Sequence, residues 1–332
     1  MKCPKKSMKR GWCSCISLDE FAYLGENVSV VCREDTCAVY KLQDSTGEGI
    51  MTGYSVFPGI NLLYHDFHID RCMSYFQPGI DMFCIDHCRE GRLEWEMDDG
   101  SCLYMEAGDL QMNSRTHHSR MFHFPLRHYH GVTVAICVNE ASEILPGVLE
   151  GFSVDVNMLR DKFCTGSHPF IMRAGASIEH IFSELYTVPE AIRTTFFKIK
   201  VLELLLFLST LTVPPGSGER PYFYKSQVDK VKAIMKLITG QLQHHYTLEE
   251  LSDKFDFPVT SMKNCFKGVF GTSIYAYMKE YRMNAAAVQL RRSKNSITSI
   301  AMQMGYDNAS KFSAAFKSVI GMTPVEYRKN VG

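Results

Sequence analysis

The 332-residue sequence has no net charge, with 36 Lys and Arg against 36 Asp and Glu, which excludes a uniformly basic or acidic chain. It also lacks a long apolar run. The most hydrophobic stretch, Val201 to Val213, is 13 residues long and contains Glu203, too short to span a bilayer. The basic start, MKCPKKSMKRGWCSC, is followed by no apolar segment, so it does not read as a secretion signal. No Walker loop, dinucleotide fingerprint or G-x-S-x-G elbow is present. The twelve cysteines contain no second C-x-x-C at zinc spacing, and without export most thiols are expected to stay free. These absences predict a soluble, cytoplasmic chain with no membrane partner, no cofactor and no enzymatic activity.

What is present suits two packed domains, with 45% hydrophobic and 22% charged residues. The charge is unevenly placed. Residues 221–332 hold 16 Lys and Arg against 8 Asp and Glu, a net of +8, behind an acidic body. Such a basic third points to an anionic partner. The clearest seam is the Pro- and Gly-rich stretch 214–221, which reads as a linker. Before it, residues 49 to 137 hold short aromatic and β-branched runs, among them Met82–Ile85, Arg92–Met97, Cys102–Met105 and Val132–Ile136. Turn signals at Pro78-Gly79, Asp99-Gly100 and Gly108-Asp109 separate them, predicting an antiparallel sandwich or barrel. Residues 170 to 212 have helical spacing: Val201, Leu204, Leu205 and Leu208 fall at 0, 3, 4 and 7.

After the seam the pattern is helical and repeats. Leu248, Leu251, Ser252 and Phe255 share the 0, 3, 4, 7 spacing with Ile297, Ile300, Ala301 and Met304. The text repeats too, FKGVFGTSIYAYMK at 266–279 against FKSVIGMTPVEYRK at 316–329. Each unit reads as a short helix, a tight turn and a second helix, the helix-turn-helix pattern. Thr247 and Glu250 form a capping box, Ser296 is an N-cap, and Gly271 and Gly321 are C-caps. Met278, Tyr281, Ala285 and Val288 predict one long helix between the units. The exposed faces of the two second helices carry Thr260, Ser261, Lys263, Asn264 and Lys267, then Asn308, Ser310, Lys311, Ser313 and Lys317. Hydroxyls, amides and Lys can read base edges in a major groove, while Lys267 and Lys317 suit phosphate. Arg291, Arg292 and Lys294 add charge between the units.

Residues 225 to 330 resemble the AraC/XylS DNA-binding domain through Ile300-Ala301, Gly305-Tyr306, Phe312, Phe316-Lys317, Gly321, Thr323-Pro324 and Tyr327-Arg328. The resemblance implies a sequence-specific, DNA-binding transcription regulator, an activator rather than a repressor. Its partners would be double-stranded promoter DNA, RNA polymerase and a second copy of the chain as a homodimer. In that family Arg282 would be a buried structural residue. The first unit departs from the pattern: Ser252 replaces an Ala, Pro258 takes a position that is often Ser, and Asp256-Phe257 lacks a Gly.

The family also implies a cupin-like N-terminal domain that binds a small-molecule effector or dimerises. The expected fold class is therefore multidomain α+β. Residues 1–48 stay unassigned, 49–165 form the cupin-like β-barrel, and 166–213 form a helical dimerisation or packing segment. Residues 214–221 are the linker, and 222–332 form the all-α double helix-turn-helix domain. An effector pocket is expected to use His87, Arg89, Arg92, Trp95, Tyr104 and Arg127, with aromatic walls such as Tyr75, Phe76 and Phe124. Eight histidines lie between 65 and 130: His65, His68, His87, His117, His118, His123, His128 and His130. His128-Tyr129-His130 lacks the spaced Glu of a metal cupin, so no metal is expected. Cys13, Cys15, Cys32 and Cys37 raise a redox reading that a simple buried-thiol role matches. Two alternatives stand beside this reading: a cupin-type metalloenzyme with a helical appendage, and a protein-interaction regulator with weakened DNA binding.

Overall fold

A computed structural model describes residues 27–331 apart from 74–80, 98, 115–120, 167 and 214–221. The expected linker at 214–221, the Cys13–Cys15 pair, Tyr75, Phe76, His117 and His118 lie outside the described residues. The chain opens with strands β1 (Val28–Arg33), β2 (Cys37–Asp44), β3 (Gly47–Phe57), β4 (Ile60–His68), β5 (Arg71–Met73), β6 (Met82–Glu96), β7 (Ser101–Glu106), β8 (Asp109–Asn113), β9 (Met121–His123) and β10 (Tyr129–Cys137). Helices α1 (Val138–Val148) and α2 (Val156–Phe163), strand β11 (Phe170–Arg173), and helices α3 (Ala176–Leu185) and α4 (Arg193–Thr210) follow. The C-terminal part holds the short β12 (Phe223–Tyr224), then α5 (Lys225–Gly240), α6 (Leu248–Phe255), α7 (Val259–Phe270), α8 (Ile274–Arg292), α9 (Ile297–Gln303), α10 (Ala309–Ile320) and α11 (Pro324–Val331).

These elements form two compact units. One comprises the residues up to Leu93 together with Met105–Glu219; the other comprises Glu94–Tyr104 with Arg220–Gly332. In the first unit the strands run in the order β1-β2-β3-β4-β10-β6, with β8 beside β6 and β11 beside β8, all antiparallel. Period-two alternation sorts each strand into two faces. Ile60 and Leu62 of β4 and Val132, Val134 and Ile136 of β10 point to one side, where Ile178, Ile181 and Phe182 of α3 and Phe197, Val201, Leu204 and Leu208 of α4 complete a buried core. The Leu-rich stripe of α4 therefore packs on the sheet.

The structure shifts several expected boundaries. Strands begin at Val28, inside the segment 1–48 that carried no assignment, because Ala38, Tyr40 and Leu42 alternate inward along β2. β11 interrupts the expected helical segment 166–213. It is four residues long and its backbone is satisfied by β8, a pairing that no local pattern signals.

The second unit is helical apart from one hairpin tip. Glu94 is buried there, with Oε1 accepting from Lys232 Nζ at 2.6 Å and Oε2 from the Tyr104 hydroxyl at 2.9 Å. Phe223 and Tyr224 pair with Cys102 and Ser101 of the same tip. A buried carboxylate tolerates this position because both of its oxygens are satisfied.

Candidate nucleic-acid interface

The first helix-turn-helix unit is α6, a turn at 256–258, and α7. Its entry is the predicted capping box: Thr247 Oγ1 accepts from the Glu250 N–H at 3.1 Å, and Glu250 Oε2 accepts from the Thr247 N–H at 2.8 Å. The turn is made by Asp256 in the left-handed region, φ 44°, and Phe257 N–H returns to the Ser252 carbonyl at 3.0 Å. Helix α7 then buries Met262, Cys265, Phe266 and Val269 and exposes Thr260, Lys263, Asn264 and Lys267, with Ser261 half-buried. Pro258 stands at its N-cap with no side-chain cap.

The second unit repeats the plan with α9 and α10. Ser296 Oγ caps α9 through the Ser299 N–H at 3.1 Å, Ile300 and Ala301 are buried, and Gly305 turns the chain at φ 80°. Phe312 and Phe316 are buried on α10, while Ser310, Lys311 and Lys317 are exposed and Ser313 is half-buried. Asn308 is also exposed, but its Oδ1 accepts from the N–H groups of Ser310 at 2.8 Å and Lys311 at 3.0 Å. Asn308 was expected among the base-reading groups; its oxygen is instead the N-cap of α10, leaving only the amide N–H donors free of that duty. Gly271 and Gly321 close the two second helices at φ 78° and 87°.

Helix α8 joins the units. It forms as predicted, but its buried stripe is Ile274, Met278, Arg282, Ala286 and Leu290 rather than one through Tyr281 and Val288, which are each 41% exposed. A charged residue inside the stripe hid the phase. Arg282 is buried, and burial lowers its pKa. Its Nε donates to the Leu242 carbonyl at 3.0 Å and its Nη2 to the His244 carbonyl at 2.9 Å. Its Nη1 lies 3.2 Å from His245 Nδ1, and His245 Nε2 is 2.6 Å from the Gly305 carbonyl. Since Arg can only donate, Nδ1 accepts and Nε2–H donates onward. The chain Arg282–His245–Gly305 thus ties the joining helix to the second turn.

A cavity of about 530 Å³ opens beside α7, walled by Lys263, Asn264 and Lys267, by His244, His245 and Arg282, and by apolar Leu251, Ile274 and Met278. No acidic residue lines it. His244, Thr247 and the 80%-exposed Tyr275 join the expected set here, and nothing in the repeat singled them out. The combined surface offers hydroxyls, amides and cations on two helices with apolar undersides, which is the chemistry of groove and phosphate contact.

The six residues expected around an effector occupy separate settings. His87 lies on the helix-packed face of β6, stacked on Phe182 at 4.3 Å, with Nε2 at 3.0 Å from Glu179 Oε2 and Nδ1 at 3.4 Å from the Tyr186 hydroxyl. A neutral ring meets both contacts, and burial pushes its pKa down despite Glu179. Arg89 lies over the Tyr186 ring at 4.6 Å, Arg92 pairs with Glu106 at 2.5 Å, and Arg127 pairs with Asp70 at 2.5 Å. Trp95 and Tyr104 belong to the second unit, where both are buried. The sequence reading missed a polar chain on the other face of the first sheet. Thr133 Oγ1 donates to Asp86 Oδ1 at 2.6 Å, His65 Nε2 is 2.9 Å from Thr133 Oγ1, and Asn113 Nδ2 donates to Asp86 Oδ2 at 3.1 Å. Phe67, Phe124 and Tyr129 cluster with ring separations of 5.6, 5.7 and 6.4 Å. Cys32 is exposed, while burial raises Cys37 and pushes Cys72, Cys102, Cys164 and Cys265 up to about 12, so these buried thiols stay protonated. No described helix is long and apolar enough to cross a membrane.

Known proteins are similar to the C-terminal part of the chain. Residues 251–330 match a family described as a helix-turn-helix domain. The TetD protein of transposon Tn10 from Escherichia coli is 29% identical over 100 residues, 30% of this chain and 72% of that protein. A protein of Streptomyces lividans named as an AraC-like transcription regulator is 35% identical over 85 residues, 26% of this chain and 28% of its own length. Among solved structures, the C-terminal domain of the response regulator AraT from Geobacillus stearothermophilus is 27% identical, covering 30% of this chain and 84% of that one, at a TM-score of 0.30. All three similarities cover less than a third of this chain. Residues 251–330 are thus a helix-turn-helix domain, and this C-terminal part is similar to those of AraC-like transcription regulators.

Proposed function

We propose that this chain activates transcription by seating α7 and α10 in consecutive major-groove segments of promoter DNA, about 34 Å apart along one face of the duplex. The carrying observation is the repeated pair of helices, each buried on one side through its Phe residues and exposing Lys, Ser or Asn on the other. Lys267, Lys317, Arg291, Arg292 and Lys294 supply phosphate contacts. Thr260, Ser261, Lys263, Asn264, Ser310, Lys311 and Ser313 read bases, joined by the amide N–H groups of Asn308. RNA polymerase is the downstream partner in this reading.

The first unit senses a small organic effector and pairs two copies of the chain. The effector contacts are Asp86, Thr133, His65 and Asn113 beside Phe67, Phe124 and Tyr129, a small polar set among aromatic walls. The effector must bind the two domain arrangements unequally to shift their balance. Support for pairing comes from α4, whose second face leaves Ile199, Leu206 and Phe207 exposed.

Genomic footprinting of the tagged chain, followed by anisotropy titrations on the recovered sites, tests the proposal. It predicts discrete sites bound at least about a thousandfold more tightly than random duplex at the same salt concentration. Equal affinity for both duplexes would reject it.

A further inference from the structure

We propose that Asp66, His68 and His130 bind a divalent transition-metal ion. Asp66 and His68 are two residues apart on β4, so both side chains leave the same face of the strand. The β4–β10 register sets His130 directly opposite Asp66. Asp66 Oδ1 lies 3.0 Å from His68 Nε2 and 2.6 Å from His130 Nε2, and the three candidate ligand atoms lie within 4.8 Å of one another. The two imidazole rings meet edge-on at 5.6 Å and 90°, so their nitrogens converge without stacking.

Two further observations separate this cluster from an ordinary surface ion pair. His130 Nε2 is buried and makes no hydrogen bond, although Asp66 Oδ1 is 2.6 Å away. On its other side His130 is opposite Glu90 of β6, whose Oε2 is 3.7 Å from His130 Nδ1. The ladder slips there, His130 pairing with Glu90 and Gly131 with Cys88, so Arg89 is the extra residue of a bulge. Bulges re-aim side chains, and this one turns a second carboxylate toward the same histidine.

Two imidazole nitrogens and one carboxylate oxygen form a donor set suited to zinc and its neighbours rather than to calcium or magnesium. Zinc with ligands at about 2.0–2.2 Å in a tetrahedron spaces them by roughly 3.3 Å. The two carboxylate–imidazole separations, 3.0 and 2.6 Å, fall short of this by less than an ångström, and the side chains of Asp66 and His68 are 54% and 62% exposed. The fourth position is open to water. An ion here ties β4 to β10 in the middle of the first sheet.

Titration of the chelator-washed full chain with zinc chloride, followed by calorimetry and thermal melting, reads the site directly. Cobalt chloride adds a spectroscopic check on the ligands. The expected result is one ion per chain, a higher melting temperature with zinc, and weak visible cobalt bands without a thiolate charge-transfer band in the near ultraviolet. Replacing a direct ligand, His68→Gln or His130→Gln, should weaken binding by more than about 100-fold, beyond what loss of an outer-shell partner costs. Asp66→Asn keeps the shape and serves if either histidine variant fails to fold. His180→Gln, at an exposed His–Glu pair elsewhere in the unit, should bind as the unsubstituted chain does. No stoichiometric binding, or binding that survives His68→Gln with His130→Gln, overturns the proposal. A thiolate band in that double variant would assign the ion to cysteines instead.

Discussion

Asp256 and Gly305 hold the same turn position in the two helix-turn-helix units, and both have positive φ, 44° and 80°. Asp tolerates the left-handed region better than most residues, but glycine occupies it without a Cβ penalty. Asp256→Gly should therefore be neutral or stabilise the unit by up to about 1 kcal/mol. Gly305→Ala should cost about 1–3 kcal/mol, since a Cβ there would stand 2.7 Å from His245 Nε2 and 2.9 Å from the Gln243 carbonyl at a strained φ. Urea unfolding of both variants checks the contrast. Equal losses would show that the turns are not equivalent.

The two lysines of α10 make separable predictions. Lys311→Ala should weaken binding at particular base positions by about 1–3 kcal/mol, and Lys317→Ala should weaken it on all sequences and lower the salt slope by about one. Anisotropy titrations across several salt concentrations and single-base operator variants measure both. An unchanged slope removes Lys317 from the phosphate contacts, and a sequence-independent loss removes Lys311 from base reading. Asn308→Ala should also lose helix stability, by about 1 kcal/mol, because the cap of α10 goes with it, whereas Asn308→Ser keeps a capping oxygen.

The helices of the second unit were legible because a helix announces itself locally. Caps, turn glycines and the 0, 3, 4, 7 spacing all lie within a dozen residues, and the repeat displays them twice. The sheet was harder to read. β6 buries both of its ends although it carries Asp86, His87, Arg92 and Glu94, so its polarity hides its burial, and its partners β10 and β8 lie far along the chain. The same distance hid the polar chain His65–Thr133–Asp86–Asn113 and the cluster of Asp66, His68 and His130. A search for ligand spacing along one strand finds His128 and His130, whereas the structure brings His130 to Asp66 and His68 through cross-strand register. The expected pocket residues His87 and Arg92 were attractive as polar groups in a strand, but each is already engaged, with Glu179 and Glu106.

His87 predicts a pH dependence. Burial favours its neutral form, so the unfolded chain takes up the proton more readily than the folded one. The stability that neutral His87 contributes is fully present above its ordinary value of 6.5 and declines as pH falls below it. Carboxylates held down by hydrogen bonds, such as Asp44 and Glu250, act in a lower window, at and below 3.8 and 4.5. Melting temperatures between about pH 7 and pH 5.5 should fall less steeply in His87→Gln than in the unsubstituted chain. Parallel slopes would mean that His87 binds its proton equally well in the folded and unfolded chain, and a steeper fall in His87→Gln would mean that Glu179 holds it charged in the folded state.

The last prediction concerns α4, which is apolar on two sides. Phe197, Val201, Leu204 and Leu208 are spent on the sheet, while Ile199, Leu206 and Phe207 remain 56%, 43% and 39% exposed. The second set stays partly exposed among the described residues, and a second copy of the chain would offer the matching apolar face in a two-fold pair. Ile199→Glu with Leu206→Glu should convert the chain to a monomer in sedimentation runs. Stability of the folded chain should change by only about 0.5 kcal/mol per site, as at other exposed positions. On a two-half-site operator the monomer would lose the effective concentration that links its two DNA-binding units, a drop of about 10²–10⁴ in apparent affinity, with single half-sites bound as before. A double variant that still sediments as a dimer would place the interface elsewhere, and one that loses half-site binding would tie this helix to the fold of the unit instead.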